Sequence, residues 1–177
     1  MKRLLISVSI AMTLLIGMPV FAHDRDIRIF PECKYCGMYR KLFAHSRMVV
    51  RHKDGTLVGV CSVNCAAIDY VKAINDSPDS LRVGDYKTRK LIDAEKAYWV
   101  IGGSKQGVMT ERAKWAFRGK RDAQDFIKKY GGRLTTFDEV MKATYEDMYE
   151  DMRALEQLKL EHARSRQTHS QQSHGVN

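Results

Sequence analysis

Arg47-Met48-Val49-Val50-Arg51-His52-Lys53-Asp54-Gly55-Thr56-Leu57-Val58-Gly59-Val60-Cys61-Ser62 is the stretch from which the fold can be read. Two β-branched runs flank Asp54-Gly55, a pair that favours the positive backbone angles of a tight hairpin turn. Cys61 therefore ends the second strand. Ser62 is suited to cap a following helix, whose apolar positions Ala66, Ala67, Ile68, Tyr70, Val71, Ala73 and Ile74 form a packed face. Asn75-Asp76-Ser77-Pro78-Asp79 ends that helix, and residues 86–93 read as a further strand.

Downstream the same order recurs. Ala97-Tyr98-Trp99-Val100-Ile101 reads as a strand closed by Gly102-Gly103, and Gly107-Val108-Met109-Thr110 lies in a loop. Trp115-Ala116-Phe117 reads as a second short strand. Residues 120–130 are an amphipathic helix carrying Ala123, Phe126 and Ile127, stopped by Gly131-Gly132. Strand, strand and helix thus occur twice, which predicts an α+β fold. Thr136-Phe137-Asp138-Glu139 has a capping-box pattern, so a long helix starts there. Met141, Tyr145, Met148, Met152 and Leu155 follow at helical spacing as one apolar stripe, suited to docking or to a homodimer through this helix. Methionines in such a stripe are read as packing rather than as metal ligands. Residues 165–177 are polar and are expected to be disordered.

Upstream, Lys2 and Arg3 precede an apolar run at residues 4–16, and Pro19-Val20-Phe21-Ala22 supplies small residues for cleavage after Ala22. Residues 1–22 are read as a cleaved signal peptide, which places the mature protein in the periplasm. The apolar run is too short to span a bilayer, and no cysteine near the cleavage point offers a lipid anchor. Residues 23–32 are expected to be an extended lead-in, with His23 at the mature N-terminus. The formal charge is +9, two units of which leave with Lys2 and Arg3. The remaining basic residues are scattered and carry no nucleic-acid motif, so nucleic acid is excluded as a partner.

All four cysteines lie in two clusters, Cys33-Lys34-Tyr35-Cys36-Gly37-Met38 and Cys61-Ser62-Val63-Asn64-Cys65. A hydrophobic fraction of 44% indicates a core that folds without disulfide staples. Gly37 lets the chain turn tightly, which could swing the Met38 thioether back toward a metal. Spacing leaves three readings: an open Cu(I) site of soft sulfur donors, a structural Zn2+ held by four thiolates, and disulfides or a thiol–disulfide exchange couple. His45 and His52 flank the first strand as lesser ligand candidates. No catalytic order of residues and no phosphate loop is present, so the chain is not read as an enzyme.

These features resemble the NosL family, copper-binding accessory proteins of nitrous oxide reductase assembly. The resemblance rests on Cys33-x-x-Cys36-Gly37-Met38, Cys61-Ser62, Trp99-Val100-Ile101-Gly102, Gly107-Val108-Met109, Ala116-Phe117, Ala123-x-x-Phe126, Gly131-Gly132 and Phe137-Asp138-Glu139. It covers about residues 30 to 140. It implies two linked ββαβ-like units, here followed by the long C-terminal helix. It further implies Cu(I) binding through a cysteine and methionines, and delivery to an extracytoplasmic copper enzyme. Carried over, Cys36 and Met38 are the first ligand candidates and Met109 that of the second unit. The chain departs from the family in lacking a lipid-anchor cysteine and in having Cys61 with Cys65. That pair resembles the cysteine-rich domains of metal-trafficking proteins, so that Cys33, Cys36, Cys61 and Cys65 can form one site. The expected organisation is a signal peptide at 1–22, a NosL-like metal-binding domain at 23–135, a helix at 136–164 and a tail at 165–177.

Overall fold

The structure, a computed structural model, describes residues 24–73 and 78–174. The signal segment, Ile74 and residues 75–77 of the helix-ending stretch lie outside the described residues. The elements are α1 (Arg25–Ile29), β1 (Met48–Arg51), β2 (Leu57–Val60), α2 (Val63–Lys72), β3 (Ser80–Gly84), β4 (Leu91–Asp93), β5 (Tyr98–Ile101), β6 (Lys114–Phe117), α3 (Lys120–Tyr130), β7 (Arg133–Thr135) and α4 (Phe137–His174).

They form two antiparallel sheets of the same design. In the first the strand order is β2-β1-β3-β4, and in the second β6-β5-β7. Each unit places its first strand at the centre, its second strand outside, and a helix in the connection to the third. Val50 faces Val58 on one side and Leu81 on the other. Val100 stands between Trp115 and Leu134 in the same way. The doubled ββαβ order is therefore real, with β4 added to the first unit. The hairpin turn has the expected form: Gly55 has φ 86, and the Asp54 carboxylate accepts from the Thr56 N–H at 2.8 Å.

One core serves both sheets. It runs from Cys33, Met48, Val50 and Val60 through Val83 to Trp99, Phe117 and Val140. Buried side chains of this size each contribute about 1.5–3 kcal/mol of transfer free energy. Buried Asp85 joins the units. Its carboxylate accepts from the Thr88 N–H at 2.8 Å and from the Arg118 N–H at 2.9 Å, while Tyr86 N–H donates to the Ala116 carbonyl at 2.8 Å. This turn interrupts residues 86–93, so the strand expected there is only β4.

The lead-in is also not extended. Asp26 on α1 accepts from buried Arg40 and Arg47, at 2.8 Å in each case, and the single helical turn follows from that anchor. Ser62 occupies the N-cap position of α2 but makes no side-chain cap bond; its hydroxyl accepts instead from the Cys61 thiol at 3.8 Å.

Along α4 the buried positions among the described residues are Phe137, Val140, Ala143, Thr144 and Asp151. The apolar stripe is only partly docked: Met141 packs against the core and Met148 is half-buried, but Tyr145 is 40% and Met152 62% exposed, and the side chain of Leu155 lies outside the described residues. Polar contacts fix the helix in this orientation. Asp147 binds Lys114 at 2.9 Å and Arg112 at 2.6 Å, and Asp151 accepts from Asn64 at 2.9 Å. The helix continues to His174, beyond the boundary expected at 164. No Gly or Pro occurs between residues 137 and 174, so nothing in the backbone stops it there. Among the described residues no helix is long and apolar enough to cross a membrane.

Candidate metal centre

The first cysteine pair is carried by a tight knuckle. Glu32 and Tyr39 form an antiparallel bridge, Cys33 N–H donates to the Met38 carbonyl at 2.9 Å, and Gly37 N–H returns to the Cys33 carbonyl at 3.0 Å. Gly37 has φ 72, the left-handed conformation the turn needs and glycine adopts without strain. Buried Arg40 fastens the knuckle to the hairpin, donating to Val60 O at 3.1 Å, Phe30 O at 2.7 Å and Met48 O at 3.0 Å. A Cβ at Gly59 would lie 2.5 Å from the Phe30 Cβ, so β2 passes too close to this segment for any other residue.

The knuckle thus sits on the end of β2, where Cys61 emerges, and beside the first turn of α2, which carries Cys65. The sulfurs of Cys33, Cys36, Cys61 and Cys65 all lie within 4.8 Å of one another. Cys36 Sγ is 3.4 Å and Cys65 Sγ 3.7 Å from Cys61 Sγ, and all four thiols are free. Cys33, Cys61 and Cys65 are buried and Cys36 is half-buried. A tetrahedral ion with metal–sulfur bonds of about 2.3 Å separates its ligands by roughly 3.8 Å. The donor set therefore fits one thiophilic ion with movements of a few tenths of an ångström.

The protons in this cluster are unequally held. Hydrogen bonds from Cys36, Cys61 and Cys65 hold Cys33 far below the ordinary thiol range. The Cys33 sulfur raises Cys36, while Cys61 and Cys65 lower it, to about 7. Cys61 and Cys65 are pushed up, chiefly by the neighbouring Cys33 and Cys36 sulfurs. The α2 N-terminus favours a thiolate at Cys65, but three adjacent sulfurs outweigh it. Negative charge gathers on the knuckle, and a metal ion would displace the remaining protons.

Met38 and Met109 line one cavity together with Phe43, His45 and Asp151; its volume is about 530 Å³, and none of the four cysteines takes part in it. Met109 has φ 62, a conformation costing roughly 1–2 kcal/mol for a residue with a Cβ. Its carbonyl is held by the Asn64 amide at 2.6 Å, and Asn64 also reaches Asp151. Burial lowers the pKa of His45, and Arg89 and Lys105 lower it further, which keeps the imidazole neutral and able to coordinate. The sequence motifs point to all six of these sulfur-bearing residues, four of which the fold brings into one cluster. Asn64 and Asp151 carry no motif and become visible only when α4 is docked.

A buried carboxylate supports the knuckle from behind. Tyr35, between the first two cysteines, donates to Asp69 Oδ1, and His52 Nε2 lies 2.8 Å from Asp69 Oδ2. Lys72 covers the Tyr35 ring at 4.8 Å. His52 is thus a support for α2 and the knuckle and takes no part in the thiol cluster.

Fold and site together define a two-unit α+β metal-binding protein, with soft donors gathered where the first hairpin meets the knuckle. The NosL family model matches residues 26–145, and the chain belongs to the NosL family. That family comprises copper chaperones and not enzymes. No curated protein matches the chain. Among solved structures it is similar to the copper chaperone NosL from Shewanella denitrificans, with 26% identity, 61% of this chain and 87% of that chain covered, and a TM-score of 0.49.

Proposed function

We propose that this protein is an exported, periplasmic Cu(I) metallochaperone that delivers copper to an extracytoplasmic copper enzyme such as nitrous oxide reductase. The observation that carries this reading is the convergence of four free thiols from two chain segments within 4.8 Å. Thiolates select Cu(I) over harder ions. Cys33, Cys36, Cys61 and Cys65 hold the ion. Met38 and Met109, with His45 beside them, supply weaker soft donors in the adjoining cavity, from which the ion is handed on. The partner is the client enzyme or its assembly machinery, met after cleavage of residues 1–22.

A second reading is favoured by the cluster's near-tetrahedral spacing. Here Zn2+ fills the four-cysteine site as a structural ion, and Cu(I) binds only at Met38, Met109 and His45.

Metal analysis of anaerobically purified protein, followed by Cu(I) titration of the reduced apoprotein against a competing chelator, separates the two. Cu(I) bound more tightly than micromolar and lost in Cys36→Ser supports delivery from the thiol cluster. Tight zinc in the cluster, with Cu(I) binding abolished by Met109→Leu, supports the second. Cu(I) binding of micromolar affinity or weaker, unchanged in both variants, overturns the copper reading.

A further inference from the structure

A second cavity of about 530 Å³ lies on the other side of His45, walled by Tyr86, Trp115, Lys87, Arg89 and Lys105. His45 and Gln106 line both this cavity and the one containing Met38 and Met109. No carboxylate lines it. Lys87 is neutralised by Asp122 at 2.6 Å, but Arg89 and Lys105 have no acidic partner among the described residues. Lys105 rests over the Tyr130 ring at 4.9 Å. Asp85, four residues before Arg89, is occupied by the Thr88 and Arg118 N–H groups.

Arg89 is held in place by the fold. It has φ 61, its N–H donates to the Asp85 carbonyl at 2.7 Å, and its carbonyl accepts from buried Arg47 at 2.6 Å. The turn therefore presents an unneutralised guanidinium at the rim of an aromatic-walled cavity. Half-buried Tyr86 meets His45 edge-on at 5.6 Å and offers apolar surface for a side-chain stem, while buried Trp115, tilted against His45 at 5.4 Å, backs the wall. A guanidinium and an ammonium above aromatic walls suit a carboxylate carried on an apolar stem. A bare inorganic anion would leave the walls and most of the volume unused. The concave shape also disfavours a flat lipid surface.

We propose that this cavity is a docking site for an Asp- or Glu-bearing segment of the protein that receives the metal. The inference rests on the chaperone reading above for the identity of the partner. It brings the acceptor's acidic segment against His45, next to the two thioethers.

The test uses the full chain, reduced and metal-free, titrated with a short capped peptide of alternating Asp and Glu. The indole N–H signals of Trp115 and Trp99 are followed by NMR. The expected result is saturable binding that moves Trp115, which lines the cavity, and leaves Trp99, which does not, in place, and that weakens as salt rises. Arg89→Glu/Lys105→Glu weakens it by about tenfold or more. Lys105→Glu alone, at an exposed position with no backbone role, weakens it part of the way. Lys90→Glu, outside the cavity, leaves it unchanged. Absence of peptide binding, equal weakening by Lys90→Glu, or inorganic phosphate binding as tightly as the peptide would each overturn the proposal. Cu(I) titration of the same variants is expected to match wild type. Loss of Cu(I) binding in wild type would sink the chaperone reading while leaving the peptide titration interpretable.

Discussion

Cys36 Sγ stands 3.4 Å from Cys61 Sγ, a contact between the knuckle and the end of β2. Hydrogen bonds of the Arg40 side chain to Val60 O and of Lys34 N–H to Gly59 O hold the two segments together, so the pair is set by the surrounding framework rather than by the sulfurs themselves. Cys36→Ser and Cys61→Ser should each weaken Cu(I) binding by more than about a hundredfold, since even residues that merely orient ligands are worth roughly 10–100-fold. Chelator competition on reduced protein reads this. Unchanged affinity in both variants would remove the cluster from the cargo site.

Asp26 predicts the acid limit of the fold. Burial alone would raise its pKa, but hydrogen bonds and charge from Arg47 and Arg40 outweigh this and bring it below 3.8. The unfolded chain therefore takes up this proton at higher pH than the native one. The contribution is fully present above pH 3.8 and is lost as pH falls through the native value. Asp26→Asn should cost about 3–5 kcal/mol at neutral pH, because it removes the carboxylate facing two buried guanidinium groups. Urea denaturation at pH 7 and pH 3 should show the variant less sensitive to acid than wild type. Equal acid sensitivity would place the limiting carboxylate elsewhere.

Asp69 holds Tyr35 and His52 on opposite carboxylate oxygens, and Tyr35 lies inside the CxxC knuckle. Asp69→Ala leaves both partners without an acceptor and should destabilise the protein by about 1–3 kcal/mol. It should also speed extraction of bound metal by a chelator roughly 10–100-fold, with the stoichiometry unchanged. Stopped-flow extraction measures this. A destabilised variant with wild-type extraction kinetics would show that the knuckle does not depend on this support.

The doubled unit was legible because its signals are local. Asp54-Gly55 sets a turn, β-branched runs set strands, and Gly131-Gly132 stops α3 where the glycines predict. The convergence of the thiols was legible in part, since Cys61 had to end a strand and Cys65 had to enter a helix. The place of Met38 in a cavity shared with Met109 was not. It depends on which way the knuckle faces, and Arg40 settles that through contacts with residues up to 20 positions away. The same holds for α1, whose sequence reads as a loose end until Asp26 meets Arg40 and Arg47. Long-range pairing of charged side chains leaves no periodic trace, whereas apolar burial does.

The docked face of α4 gives the sharpest contrast between pattern and contact. Met152 belongs to the apolar stripe yet is 62% exposed, while neighbouring Asp151 is buried. Asp151 accepts from the Asn64 amide at 2.9 Å and from the Glu111 N–H at 3.2 Å, and Asn64 in turn holds the Met109 carbonyl. Asp151→Ala strands two donors and should cost about 1–3 kcal/mol, lowering Tm by roughly 2–4 °C per kcal/mol in a chain of this size. Met152→Gln should stay within about 0.5 kcal/mol of wild type. Because Asn64 loses one of its anchors, the Met109 turn should also loosen in Asp151→Ala. Methyl-labelled methionine spectra should then show Met109 shifted or broadened, with Met48 in the core unmoved. If Met152→Gln destabilises as much as Asp151→Ala, the stripe and not the polar clamp docks the helix. If Met109 stays unchanged in Asp151→Ala, its strained turn is held by the loop alone.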